Sequence, residues 1–304
     1  MFKGIPMREF SKRILAVFSL GFILMFYSEM MFWARWRPED TILGLLVTWF
    51  VYSVLAFFVL LFFERFCVDD IYSIFLLGAL FGWLVEGVVV QTAYEAFPFQ
   101  LVWTPLAWHA LISVLVGLYF VGNALSEWKF KKAAAFFALI GVFWGVWAIY
   151  WKFEDGYAIT TAEFAVYAFS TGIALMASYI VFNLVHPRTF EPTKPETWIF
   201  SGVLAFFALS TVVAIPFSPL VLLPLLGVSF YALKKLSGRE SILFQFSKIN
   251  PCRYVMVLFM PLSAVIVYAF LREVWLEVNV LVALTTSSVG IFIFLKAIYK
   301  ALQI

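Results

Sequence analysis

The chain is poor in the residues that most often announce chemistry, with two cysteines and two histidines in 304 residues. Cys67 and Cys252 are the only thiols, which excludes a disulfide framework and a cysteine-rich zinc site. His109 and His186 are the only imidazoles, so neither a bis-histidine haem inside a bilayer nor a histidine-rich metal site is available. HExxH, GxSxG, Walker A and GxGxxG motifs are all absent, as are an arginine ladder and a TVGYG-like filter. No metal or cofactor is expected, and chemistry driven by bound ATP is excluded on this chain.

Charge is scarce too. Only 13% of residues are charged, against about a quarter in ordinary soluble domains. No basic tract sits on a polar domain, so nucleic acid is not an expected partner. The longest polar connection is roughly 20 residues, too short to fold alone. What fills the chain is apolar: 64% of residues are hydrophobic, in runs of about the length that crosses a bilayer.

These runs predict an all-α, polytopic integral membrane helix bundle forming one domain over residues 1–304, with the lipid bilayer as its surroundings. Ten spans are expected: 14–34, 41–63, 71–91, 103–124, 133–151, 161–185, 198–215, 219–233, 254–271 and 280–300. The first follows a basic N-terminus but is too long for a signal peptide and lacks a small-x-small cleavage site. The eighth is short and carries Pro219 and Pro224, so 198–233 reads either as two full spans or as a re-entrant hairpin.

Orientation follows from Lys and Arg. With the N-terminus inside, seventeen of the 21 basic residues fall on inner segments. Only Arg35, Arg37, Lys152 and Arg272 lie outside. Both termini are therefore expected in the cytoplasm and the protein in the cell membrane, with both cysteines on cytoplasmic connections as reduced thiols. The inner connection 234–253 mixes cations with Ile242, Leu243, Phe244, Phe246 and Ile249, and reads as an interfacial segment or a solvated linker. Trp33, Trp36, Trp103, Trp108, Trp147, Trp151 and Trp275 gather near the outer ends of spans, against Trp128 and Trp198 inside. Interfacial belts explain most of this asymmetry, and an aromatic-lined outer vestibule the remainder.

Against this background a few polar residues stand out. An ionisable group within a span carries an insertion penalty of roughly 2.5–3.5 kcal/mol. All four aspartates lie in connections, so the in-span set is Glu29, Glu86 and His109, with Glu163 at an outer mouth beside the rim residues Glu154 and Asp155. At 1.5 Å rise per residue, the first three fall roughly 6–9 Å below the outer helix ends, on spans one, three and four. Each shares a stripe with small residues: Gly78–Gly82–Glu86, His109–Ser113–Gly117 and Gly21–Met25–Glu29. Such stripes turn toward neighbouring helices rather than lipid. A common polar cluster is expected, with Glu86 and His109 facing each other or a shared cavity, and a proton shared between them. In "WTPLAWH" Thr104 is expected to cap a helix that begins at Pro105. The candidate substrate- or proton-binding residues are Glu86, His109, Glu29, Trp103, Trp108, Tyr94 and Ser113.

Three functions fit. Ten spans with both termini inside resemble, in outline, the drug/metabolite transporter superfamily, whose two inverted five-span halves carry small molecules. That family's motifs are absent here, and aligning span one with span six leaves Glu29 deep but Glu163 at the mouth. An intramembrane enzyme on a lipid or lipid-linked substrate would use Glu86 and His109 as acid and base, with Trp103 and Trp108 shaping the pocket. A non-catalytic subunit or scaffold would use the pair only to hold helices together.

Overall fold

A computed structural model describes residues 9–154, 156–185, 189–238, 249–274 and 276–304. His186, Asp155, Trp275, the basic residues Lys3, Arg8, Arg188, Arg239 and Lys248, and most of the apolar part of the 234–253 connection lie outside the described residues. Ile249, at that connection's described end, is buried.

Among the described residues ten long helices form in the expected order: α1 (Glu9–Trp33), α2 (Ile42–Arg65), α3 (Ile71–Val89), α4 (Gln100–Ser126), α5 (Phe130–Phe153), α6 (Thr161–Val185), α7 (Lys194–Ala214), α8 (Ser218–Lys235), α9 (Pro251–Leu271) and α10 (Asn279–Leu302). No strand occurs among the described residues. All except α8 are long and apolar enough to cross a membrane. Its 18 residues carry Pro224 in the interior and end on Lys234 and Lys235. A three-residue link joins α7 to α8.

Local chemistry sets several starts. Asp70 and Ser73 form a reciprocal capping box at α3, and Thr193 and Glu196 form another at α7, where Pro195 sits in the first turn. Thr41 and Asn250 accept backbone N–H bonds at the starts of α2 and α9.

Alternate connections gather at opposite ends of the bundle. At one end Arg13 pairs with Glu196 (2.8 Å), Gly238 N–H donates to Cys67 O (3.1 Å), Lys300 meets Asp70 (3.2 Å), and Arg253 donates to Ala124 O (2.9 Å). At the other, Trp151 donates to Phe32 O (2.8 Å), Lys152 to Arg272 O (2.8 Å), and Tyr268 to Ile159 O (2.9 Å). Successive helices among the described residues therefore run up and down the bundle.

Packing is uneven along the chain. Helix α1 packs on α2 and α6, α3 on α4, α5 on α9, and α4 on α10. The α3–α4 contact brings backbones together, because a Cβ added at Gly82 would lie 2.3 Å from Pro105 O, and one at Gly78 would lie 2.8 Å from Ala110 Cα. Helix α5 meets α9 as closely at Gly141, where an added Cβ would lie 2.1 Å from Met260 O. The pairings α1–α2 and α3–α4 have no counterpart in α6–α7 or α8–α9, neither of which shares a packed face. Two like halves are therefore not seen in the packing.

The tryptophans depart from the belt reading. Trp108 and Trp147 are almost fully buried, and Trp33 stacks on Trp151 at 4.7 Å between ring centres. Trp108 touches Trp147 at 5.0 Å and Trp103 at 5.9 Å. The physical reason is hydrogen bonding: Trp147 and Trp151 both donate to Phe32 O and Trp108 to Tyr27 O, which satisfies each indole inside the protein. Of the described outer set, Trp36 is the one classed as exposed.

Candidate functional site

The polar site is built where three helices leave the α-helical register together. Ser28 and Glu29 lie on a π-helical turn of α1 (Phe26–Met30), Glu86 on one of α3 (Val85–Val89), and His109 within the π-helical run of α4 (Trp103–Phe120). Such turns insert an extra residue per turn and recur at functional sites because they re-aim side chains. Proline contributes locally. In the α register Pro105 leaves the carbonyl of Leu101 without a donor, and Trp83 Nε1 supplies one at 3.1 Å.

The expected helix start at Thr104 is corrected by one turn. The helix already runs from Gln100, so Thr104 and Pro105 lie inside it. Thr104 Oγ1 accepts from Gln100 Nε2 (3.4 Å) instead of capping the backbone.

Glu86 and His109 do meet. His109 Nε2 lies 2.6 Å from Glu86 Oε1, with both residues buried. Thr92 donates to Glu86 Oε2 from the turn after α3. On the other edge of the ring, Ser28 Oγ lies 2.9 Å from His109 Nδ1 and 2.8 Å from Ser113 Oγ. Phe81 packs edge-to-face on the imidazole, with ring centres 5.6 Å apart at 89°. The result is one continuous chain, Ser113–Ser28–His109–Glu86–Thr92, threading three helices. Its polarity is constrained. With Nε2 donating to the carboxylate, Nδ1 is left as an acceptor; Ser28 then donates to it, and Ser113 donates to Ser28.

Glu29 stands apart from this chain. Its stripe faces α2 rather than the pair: Gly21 abuts Ser53, while Glu29 accepts from Tyr52 OH (2.7 Å) and Trp33 Nε1 (3.2 Å). It still shares a cavity with the pair. That cavity, of about 190 Å³, is bordered by Ser28, Glu29, Glu86, His109, Gln100 and Trp108, among others.

The remaining candidates fall around it. Trp103 lines a neighbouring aromatic cleft of about 340 Å³ with Trp147 and Tyr150, and Phe32 borders both spaces. Tyr94 is half-buried and donates to Gly87 O (2.9 Å), which anchors the π-turn of α3 without reaching the cavity lining. Ser113 meets Ser28 rather than His109 directly. Glu163 is exposed and accepts from Thr160 N–H (2.7 Å) at the start of α6.

Two hydroxyls in the chain, Ser28 and Thr92, are invisible to sequence reasoning. Serines in apolar spans commonly bond their own helix, as Ser19 does to Leu15 O, so Ser28 carries no distinguishing signal beyond adjacency to Glu29. Among the described residues, no group of three or more His, Cys, Asp or Glu is placed to hold a metal ion. Compared with protein-family models, curated proteins and solved structures, the chain matches none of them.

Proposed function

We propose that this chain is an intramembrane enzyme acting on the acyl ester of a lipid or lipid-linked substrate, with Ser28 as nucleophile, His109 as base and Glu86 as the carboxylate that orients it. One observation carries the reading: Ser28, His109 and Glu86 are hydrogen-bonded in sequence on the wall of a single cavity. A hydroxyl on one ring nitrogen and a carboxylate on the other is the arrangement that activates a weak nucleophile.

The step balances with these residues alone. Ser28 Oγ bonds to the acyl carbon while its proton passes to His109 Nδ1, and Glu86 holds the Nε2–H of the resulting imidazolium. Collapse breaks the ester C–O bond, and the departing alcohol takes the proton from Nδ1. Water then repeats the sequence on the acyl-serine, releasing the acid. Gln100, whose amide keeps a second N–H beyond the one given to Thr104, is the polar wall group available to the acyl oxygen. The apolar walls Phe32, Val90 and Trp108 suit a hydrophobic substrate.

Small-molecule transport has less support, because the packing lacks two like halves and the whole polar chain belongs to α1, α3, α4 and the turn after α3. We place the protein in the cell membrane with both termini inside, on the strength of the seventeen-to-four division of basic residues.

Labelling with a fluorophosphonate, which phosphonylates activated serines with loss of fluoride and does not need the natural substrate, tests the proposal. Modification of the Ser28 peptide is expected in the wild type and is expected to vanish in Ser28→Ala. In His109→Gln it should slow by about 10²–10⁴-fold, the usual contribution of a general base. A folded wild-type protein whose Ser28 stays unmodified would leave the chain a helix-joining device only.

A further inference from the structure

The turn after α1 holds a feature this chemistry does not use. Ala34 leaves the helix in the left-handed conformation (φ 57°), and the next side chain, Arg35, is only 2% exposed. Its guanidinium lies 3.6 Å from the centre of the Tyr157 ring and 5.7 Å from that of Trp151, and Nη1 donates to Tyr157 O. Nε and Nη2 have no hydrogen-bond partner among the described residues. Burial lowers the pKa of this group from its ordinary value, yet a guanidinium keeps its charge in proteins. Arg37 is different: it pairs with Asp40 (2.7 Å) and Glu39 (3.7 Å) and covers the Trp33 ring at 4.4 Å. Of two neighbouring cations, one is compensated, and the other has no ion-pair partner among the described residues.

Arg35 lines a cavity of about 150 Å³. Met25, Met30 and Leu45 line that cavity and also a groove of about 330 Å³ between α1, α2 and α6. The groove is almost wholly apolar. Its two hydroxyls, Ser170 and Thr171, both bond Tyr167 O of their own helix (3.0 and 2.8 Å), leaving a guest little but dispersion contact.

We propose that an anionic membrane lipid binds here, its phosphodiester accepting from Arg35 Nε and Nη2 and one hydrocarbon chain lying in the α1–α2–α6 groove. Guanidinium and phosphate match as a two-bond fork. Charge selects the headgroup. Glu29, Glu39 and Asp40 border the same cavity, with Arg37 as the one other cation, so a single negative charge meets Arg35 with less repulsion than a multiply charged solute. An apolar groove sharing a wall with the cation explains why the ligand is an amphiphile. The site is independent of whether Ser28 is a nucleophile.

Native mass spectrometry of the detergent-purified chain, with phosphatidylglycerol and phosphatidylcholine offered in equal amounts, tests it. Both lipids carry the phosphodiester, but only the first has net charge. Retention of one phosphatidylglycerol is expected, favoured by about tenfold or more, a difference of about 1.4 kcal/mol. Arg35→Gln should abolish the preference, and Arg272→Gln, which removes a cation outside the cavity, should keep it. Ser170→Leu, at an exposed position of the groove, should reduce retention of both lipids with Arg35 intact, and decides the matter if Arg35→Gln does not fold. Equal retention of the two lipids by the wild type, an unchanged preference in Arg35→Gln, or full retention in Ser170→Leu would overturn the proposal. Loss of bound phosphatidylglycerol on adding millimolar inorganic phosphate would overturn the lipid source and assign the site to a free anion.

Discussion

Helices α3 and α7 are close to a matched pair as sequences, with 19 and 21 residues and mean hydropathies of 1.8 and 1.9 over their most apolar stretches. In the bundle they are opposites: 83% of that stretch is buried in α3 and 11% in α7. Hydropathy measures transfer out of water, and lipid tails and protein interior satisfy it equally well. What separates the two helices is the ability to let another backbone approach. Helix α3 does so at Gly78 and Gly82, and the approach brings Glu86 within reach of α4. Gly202 of α7 has open space where its Cβ would be.

The contrast is most exposed to failure at Glu86. Replacing it by Ala strands His109 Nε2 and Thr92 inside the bundle, and the expected loss is about 3 kcal/mol in the thermal unfolding of the purified protein. An unchanged melting curve would mean that the buried pair contributes little. Next, Gly82→Leu drives a side chain into Pro105 and should cost about 2–3 kcal/mol, whereas Gly202→Leu should leave stability unaltered. Equal effects of the two substitutions would erase the distinction between the helices.

A smaller effect is expected where α7 does touch the site region. Thr211 donates to Val88 O (2.7 Å) and accepts from Gln91 (3.1 Å), so Thr211→Val should cost about 1 kcal/mol. Ser210, one residue earlier, bonds only its own helix at Phe206 O (2.9 Å), and Ser210→Ala should be nearly silent by the same measurement. The smallest change belongs to Leu209, 67% exposed on α7: Leu209→Ala should shift stability by less than about 0.5 kcal/mol.

Much of the site was readable, and its limits have causes. Glu86 and His109 stand out because charge in a span is costly, and their glycine and serine stripes indicate the faces that pack. Glu29 obeys the same rules, yet Tyr52 and Trp33 take its two oxygens, because its stripe turns toward α2. No periodicity separates one packed neighbour from another. Ser28 enters the chain only through a π-helical turn, which depends on contacts rather than on composition. The outer tryptophans mislead for a related reason. An indole prefers the interface only while its N–H lacks a partner, and the Phe32 carbonyl, bonded by two of them, provides one.

The number of helices, their order and their approximate ends follow from the sequence, because transfer of apolar side chains out of water is a local property summed along a run. The capping boxes at Asp70 and Thr193 and the break at Pro216 are local as well. Which helices lie inside, which hydroxyl meets the imidazole, and which arginine is left without a counter-charge were decided by tertiary packing. Those outcomes depend on pairs of residues up to 230 positions apart, as with Asp70 and Lys300, and on register shifts of a single residue in a helical turn. Each is a property of two surfaces meeting, and a single run of residues carries only one of them.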